Sequence, residues 1–110
     1  MNRKSISNLE KELVEIWHQV PPDYYQKGVS KNLLQRIWHT QKLKTALELI
    51  ENNGVKPKNI LDVGCASGWM LSKISEQYPK AQCVGIDVYK RAIEYGQKLY
   101  KNLELISADA

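Results

Sequence analysis

Apolar residues recur at helical intervals over the first fifty positions and then, beyond residue 58, gather into short unbroken runs. Leu9, Leu13, Ile16, Trp17 and Val20 fall on one stripe of a helix. Ser7 and Glu10 have the spacing of a capping box, in which hydroxyl and carboxylate satisfy exposed backbone amides. Pro21-Pro22 stops this helix, because neither residue can donate a backbone hydrogen bond. The pattern then predicts a loop through Tyr24, Tyr25 and Gly28. A longer helix, capped by Ser30, runs to about Asn52, with Leu34, Ile37, Trp38, Leu47 and Ile50 as its apolar positions. Asn53-Gly54 supplies its C-terminal stop.

The period then changes. Asn59 to Val63 is a short apolar run ending at glycine, as expected of a buried parallel strand. Ser67 to Tyr78 reads as helix, Gln82 to Ile86 as strand, Tyr89 to Lys101 as helix and Leu103 to Ser107 as strand. Strand, helix, strand, helix, strand is the pattern of a parallel sheet with right-handed crossovers. The expected fold class is α/β, a doubly wound sheet represented by three strands. Residues 1–56 form a helical lead-in and residues 57–110 the sheet-containing unit.

Composition narrows the function classes. At 110 residues and 43% hydrophobic, the chain suits one globular domain rather than a disordered tail. No apolar run approaches the ~18 residues of a membrane span, and Met1 to Lys11 carries no secretory signal. Two cysteines, Cys65 and Cys83, are too few for a disulfide framework and too far apart for a metal knuckle. A cytoplasmic setting and no metal are therefore expected. The net charge of +4 resides entirely in residues 1–58, with ten basic and six acidic residues. Its basic side chains are scattered, which suits a solvated helical face better than a nucleic-acid surface.

The candidate chemistry lies in Asp62-Val-Gly-Cys-Ala-Ser-Gly68. A strand ends near an acid, turns through Gly64 and enters a helix at Gly68. Gly64 permits close backbone approach by a ligand, and the following helix start presents free amides. Asp87 ends the next strand, 19 residues beyond Gly68. An acid about 20 residues past the glycine turn accepts hydrogen bonds from ribose hydroxyls. Cys65 and Ala66 replace the middle glycine of a dinucleotide fingerprint, and no Gly-Lys-Ser/Thr follows for a phosphate loop. Asp62 would repel a phosphate and favour an ammonium group, so an amino-acid-bearing, cationic nucleoside fits better than a dinucleotide.

These residues, with Val84-Gly-Ile-Asp87 after them, resemble motif I and the following acid of class I, Rossmann-like S-adenosylmethionine-dependent methyltransferases. The small-molecule methyltransferase-domain branch is the nearest likeness, over about residues 59–110. The resemblance implies S-adenosylmethionine as cofactor. Gly64, Cys65, Ala66 and Gly68 would form the loop around its methionine part, and Asp62 would help hold the methionyl amino group. Asp87 would bind the ribose hydroxyls, Val88 would pack near adenine and Asp109 would reach the adenine amino group. Tyr24-Tyr25, Asn32, Gln35-Arg36 and Trp38-His39 resemble the helical lead-in that covers the cofactor in some of these enzymes.

The resemblance names no catalytic base. The expected activity is methyl transfer to a small-molecule acceptor. A non-catalytic binding module and an RNA methyltransferase with a basic docking half are the alternatives. Cys65 and Cys83 are expected to be packing residues, and Trp17 and Trp38 packing anchors, while His18 and His39 are expected to be structural or exposed. The family's sheet normally has seven strands, so the chain is expected to be the N-terminal part of a longer reading frame. Alone, it is expected to be inactive and to need its missing half or a partner chain for stability.

Overall fold

A computed structural model describes residues 3–108 of the chain. Three helices, α1 (Arg3–Gln19), α2 (Tyr24–Lys31) and α3 (Leu33–Asn52), precede an alternating unit. That unit is β1 (Asn59–Val63), α4 (Trp69–Gln77), β2 (Gln82–Asp87), α5 (Lys90–Leu99) and β3 (Glu104–Ser107). The strands form one parallel sheet in the order β1-β2-β3. Asp62 pairs with Gly85, and Asp87 with Ser107. The α/β, Rossmann-like architecture is as expected from the sequence, and among the described residues no helix is long and apolar enough to cross a membrane.

Alternation places Cys83, Gly85 and Leu105 on one face of the sheet, where α4 and α5 pack. Leu71 from α4, Ile93 from α5, and Cys65, Cys83, Leu103 and Leu105 form the core, with Leu71 and Ile93 almost wholly buried. Cys83 is a core residue, as its place in an apolar strand implies. The opposite face carries Leu61, Val63, Val84, Ile86 and Ile106 in two registered rows. Among the described residues β1 pairs with β2 only, and Leu61 and Val63 on this face are 62% and 58% exposed.

The lead-in departs from its apolar pattern in several places. Helix α1 begins at Arg3, which puts Ser7 inside the helix and not at its cap. Residues 24–31 form a helix, not a loop. Gly28, which weakens a helix by about 1 kcal/mol, is buried where α2 meets α3, and a Cβ there would press chiefly on the movable end of the Gln35 side chain. Asn32, not Ser30, caps α3, its Oδ1 accepting from the Gln35 amide at 3.0 Å. Arg36 Nε donates to the Val29 carbonyl (2.8 Å), which ties the end of α2 to α3.

Leu34, Ile37 and Trp38 are exposed, and Trp38 is no packing anchor; Lys42 Nζ lies 5.0 Å from its ring centroid. Their stripe points away from α2 and α4, and α3 instead turns His39 inward. Leu9, Leu13 and Ile16 of α1 are also about half exposed. The side chains of Trp17 and His18 lie outside the described residues.

Helix α5 touches the β1–α4 turn through Gly96, where a Cβ would sit 2.0 Å from the Ser67 carbonyl oxygen. At Gly54 a Cβ would meet nothing within 4 Å, and only its φ of +74° resists substitution. Gly96→Ala is therefore expected to lower unfolding free energy by at least about 2 kcal/mol, and Gly54→Ala by about 1 kcal/mol. Urea denaturation of the two variants checks the order.

Candidate cofactor site

The strand-to-helix turn after β1 is built backwards relative to ordinary loops. Gly64 (φ +78°), Ala66 (φ +51°) and Gly68 (φ +89°) all adopt left-handed backbone. Glycine accommodates this freely, whereas alanine does so at a cost. The turn is anchored on β2, where the Gly64 and Cys65 amides both donate to the Ile86 carbonyl, at 2.8 and 3.0 Å. Gly85 makes that approach possible, since a Cβ there would lie 2.8 Å from Cys65 Sγ.

Asp87 holds the strained residue. Its Oδ2 accepts from the Ala66 amide at 2.9 Å and its Oδ1 from the Tyr89 amide at 2.8 Å. One carboxylate thus joins the loop after β1 to the loop after β2. Each oxygen retains a further lone pair for a ligand hydroxyl. The Asp87 carbonyl in turn accepts from the Ala108 amide (3.0 Å), which brings the end of β3 to the same place.

These loops and the lead-in enclose a cleft of about 620 Å³ at the carboxyl ends of β1 and β2. Gly64, Ala66, Asp87, Val88, Tyr89 and Ala108 form one side; Val20, Pro21, Pro22, Tyr24 and Tyr25 form the other. Val63, Ile86 and Ala92 complete a mostly apolar floor. A cavity of this size suits a nucleoside-sized ligand. A Cβ on Gly64 would project into open space, so the backbone there is free for close approach.

Of the residues singled out by sequence, Gly64, Ala66, Asp87 and Val88 come together on the cleft wall. Cys65 and Gly68 lie behind it: Cys65 packs in the core, and a Cβ on Gly68 would lie 3.3 Å from Leu105. Burial, with the Asp62 and Asp87 charges adding to it, pushes the Cys65 thiol up to about 12, so it stays protonated and packs as a small apolar group. Asp62 is half-buried and points to the helix-covered face of β1, where it adjoins Met70 and Leu71. Burial, then repulsion from Asp87, raises its carboxyl above the usual range. Asp109 lies outside the described residues. No group of three or more metal-ligating side chains occurs among the described residues.

Sequence reasoning passed over the contacts that fasten the lead-in to this loop. Gln26 of α2 exchanges hydrogen bonds with the fully buried Ser67 hydroxyl (2.9 and 3.1 Å) and donates to Tyr100 Oη (3.0 Å). The Tyr89 hydroxyl donates to the Val20 carbonyl. Gly28 and Gly96, each within a helix, were the available signal, because a helix tolerates glycine where something comes close.

An aromatic cluster closes the lead-in side. Tyr25 lies 4.6 Å from the His39 ring and stacks at 6.5 Å on Trp69, the first residue of α4; Tyr24 meets Tyr25 edge-on at 5.4 Å. His39 is 4% exposed, and neither ring nitrogen has a hydrogen-bond partner among the described residues.

The parallel sheet, with a ligand-sized cleft at its carboxyl edge and an acid at the end of β2, defines a class I, Rossmann-like fold. The sequence model of a family described as "Methyltransferase domain" matches residues 55–110. The chain belongs to this family, within the S-adenosylmethionine-dependent methyltransferases of Rossmann-like fold.

Malonyl-[acyl-carrier protein] O-methyltransferase of Legionella pneumophila is 33% identical over 87 residues, covering 76% of this chain and 26% of that protein. An uncharacterized protein of Rickettsia prowazekii is 41% identical over 46 residues, 42% of this chain and 18% of that protein. The chain thus spans about a quarter or less of the length of these curated relatives.

Among solved structures, the plantazolicin methyltransferase BpumL, in complex with a monoazolic desmethylPZN analog and SAH, superposes with a TM-score of 0.54. Identity is 26%, over 94% of this chain and 36% of that one. The N-methyltransferase NodS from Bradyrhizobium japonicum, in complex with S-adenosylhomocysteine, has the same fold, with a TM-score of 0.57 and 24% identity over 89% and 46% of the two chains.

Burial, then the nearby Lys42 charge, lowers the His39 pKa below its ordinary 6.5. Above pH 6.5 the imidazole is neutral whether the chain is folded or unfolded. Below it, the unfolded chain takes up a proton that the folded chain refuses, so stability falls with pH until the lowered pKa is passed. His39→Phe removes both the titration and two unpartnered nitrogens, whose burial costs about 1–3 kcal/mol. Thermal unfolding between pH 7 and 5 should show a decline for the unsubstituted chain that is reduced in His39→Phe, with the variant no less stable at pH 7.

Proposed function

We propose that the protein to which this chain belongs transfers a methyl group from S-adenosylmethionine to a small-molecule acceptor, and that the cleft between lead-in and sheet is the cofactor site. The observation that carries this reading is the Asp87 carboxylate, fixed by two backbone amides beside a left-handed, unobstructed Gly64. That pairing supplies a ribose acceptor and a place for close ligand approach on one wall of an apolar cleft.

Asp87 would accept from the ribose hydroxyls, and Val88 with Asp109 would meet the adenine. The backbone of Gly64 and Ala66 on the cleft wall would meet the amino-acid end, with Cys65 and Gly68 shaping that turn from behind and Asp62 contributing its charge from the helix-covered side of β1. A carboxyl that burial keeps from ionising readily gains from a cationic partner, and the methionyl ammonium is one. When bound, S-adenosylmethionine supplies a methyl group on a cationic sulfur. The chain's own part is to orient that cofactor and to exclude water behind Tyr24, Tyr25 and Pro22. A small-molecule acceptor is supported by the Legionella relative, whose name assigns it a malonyl group on a carrier protein.

Isothermal titration of S-adenosylhomocysteine into the chain and its Asp87→Ala and Asp87→Asn variants tests the assignment. We expect about tenfold or greater loss of affinity for Asp87→Ala and a smaller loss for Asp87→Asn, which keeps one acceptor oxygen. Equal affinity in all three would remove Asp87 from the ribose site.

A further inference from the structure

His39 of α3 is 4% exposed, and neither ring nitrogen has a hydrogen-bond partner among the described residues. Aromatic side chains from two other helices enclose it. Tyr24 and Tyr25 of α2 lie at ring-centroid distances of 6.1 and 4.6 Å, and Trp69 of α4 at 6.1 Å. Tyr24 and Tyr25 also belong to the lead-in side of the cleft, and Trp69 is the first residue after the Gly68 turn. Three helices thus meet at one imidazole, and a displacement of that ring is a displacement of the cleft wall.

A neutral imidazole suits this setting, because it packs on the surrounding rings. An imidazolium does not. It carries two N–H donors that each need an acceptor, and a charge that burial penalises. The ring faces of Tyr25 and Trp69 attract a cation, which offsets part of that penalty without supplying an acceptor. The charge acting on the ring from its own helix is the Lys42 ammonium, of the same sign. From α2 it meets the phenol rings of Tyr24 and Tyr25, and from α4 the uncharged Trp69. The carboxylates of Asp62 and Asp87 act on Tyr25, on the cleft side of the cluster. Burial and Lys42 hold the His39 pKa below its ordinary 6.5. Between 6.5 and that lowered value, a proton binds only when the ring gains access to water.

We propose that His39 is a proton-sensitive contact between the lead-in and α4, whose protonation opens the Tyr24–Tyr25 wall and weakens cofactor binding in mildly acid solution. The imidazolium reaches water by parting the two tyrosines from Trp69, and the lead-in side of the cleft opens with them. By linkage, a cofactor bound against the closed wall keeps the proton off His39. The inference rests on the S-adenosylmethionine reading of the cleft and adds to it a regulation by pH.

Isothermal titration of S-adenosylhomocysteine at pH 7.5 and 5.5, on the unsubstituted chain and on His39→Phe, tests this. One proton taken up below the ordinary histidine pKa weakens binding by at most about tenfold at pH 5.5. The unsubstituted chain should lose at least about threefold more affinity over this interval than His39→Phe. Asp62 is common to both chains, so its own titration cancels in the comparison. Near-ultraviolet circular dichroism without ligand should show the aromatic cluster loosening at pH 5.5 in the unsubstituted chain alone. Should His39→Phe fold poorly, proton NMR reads the His39 pKa in the unsubstituted chain, with His18→Phe assigning the signal. Saturating S-adenosylhomocysteine should lower that pKa. Equal pH dependence in the two chains, or a His39 pKa unmoved by ligand, would overturn the inference while leaving the cofactor reading intact. A dichroism change without binding of S-adenosylhomocysteine at either pH would overturn the cofactor reading and leave the proton-sensitive contact standing. Absence of both signals would overturn both.

Discussion

The Asp87 carboxylate is the joint on which the cleft depends, because its two oxygens bind amides from two different loops. Hydrogen bonds to an ionised acceptor are the stronger kind, about 1.5–3 kcal/mol each, and here they offset the left-handed backbone at Ala66. With that turn fixed, Gly64 faces open space, Cys65 enters the core and α4 begins at a defined place. The loops after β1 and β2, and through Ala108 the end of β3, converge on one residue. A ligand that uses the spare lone pairs of Asp87 meets a site already assembled, so little of its binding energy is spent on ordering loops.

The price of this arrangement is crowding and charge. Gly85 and Gly96 let β2 and α5 come against the turn at distances that exclude even a methyl group. Burial raises the Asp62 carboxyl, and repulsion from Asp87 raises it further. Natural sites tolerate such costs where function needs them. A cationic ligand near the two acids would relieve that repulsion. His39, whose ring nitrogens have no hydrogen-bond partner among the described residues, packs in the aromatic cluster against Tyr25.

Much of the sheet unit was legible in the residues themselves. Short apolar runs, a glycine turn and acids at strand ends report local demands of backbone and alternation, and the structure places β1, α4, β2, α5 and β3 within about two residues of expectation. The lead-in was less legible. Leu34, Ile37 and Trp38 have helical spacing, yet they face outward while His39 faces in. Periodicity predicts that a stripe exists; only the neighbours determine which stripe is covered. The same holds for residues 24–31, where Gly28 reads as a breaker although the segment is a helix packed against α3.

By itself, the sequence determined the strand–helix alternation, the left-handed glycine turn and the acid after the second strand, because each is a local consequence of side-chain size, backbone freedom or charge. Tertiary structure decided that Asp62 points to the helix-covered face while Asp87 borders the cleft. It also decided that Tyr25, Gln26 and Tyr89 bind the lead-in to the site. These are contacts between residues tens of positions apart, and their energies arise only once packing has brought the elements together.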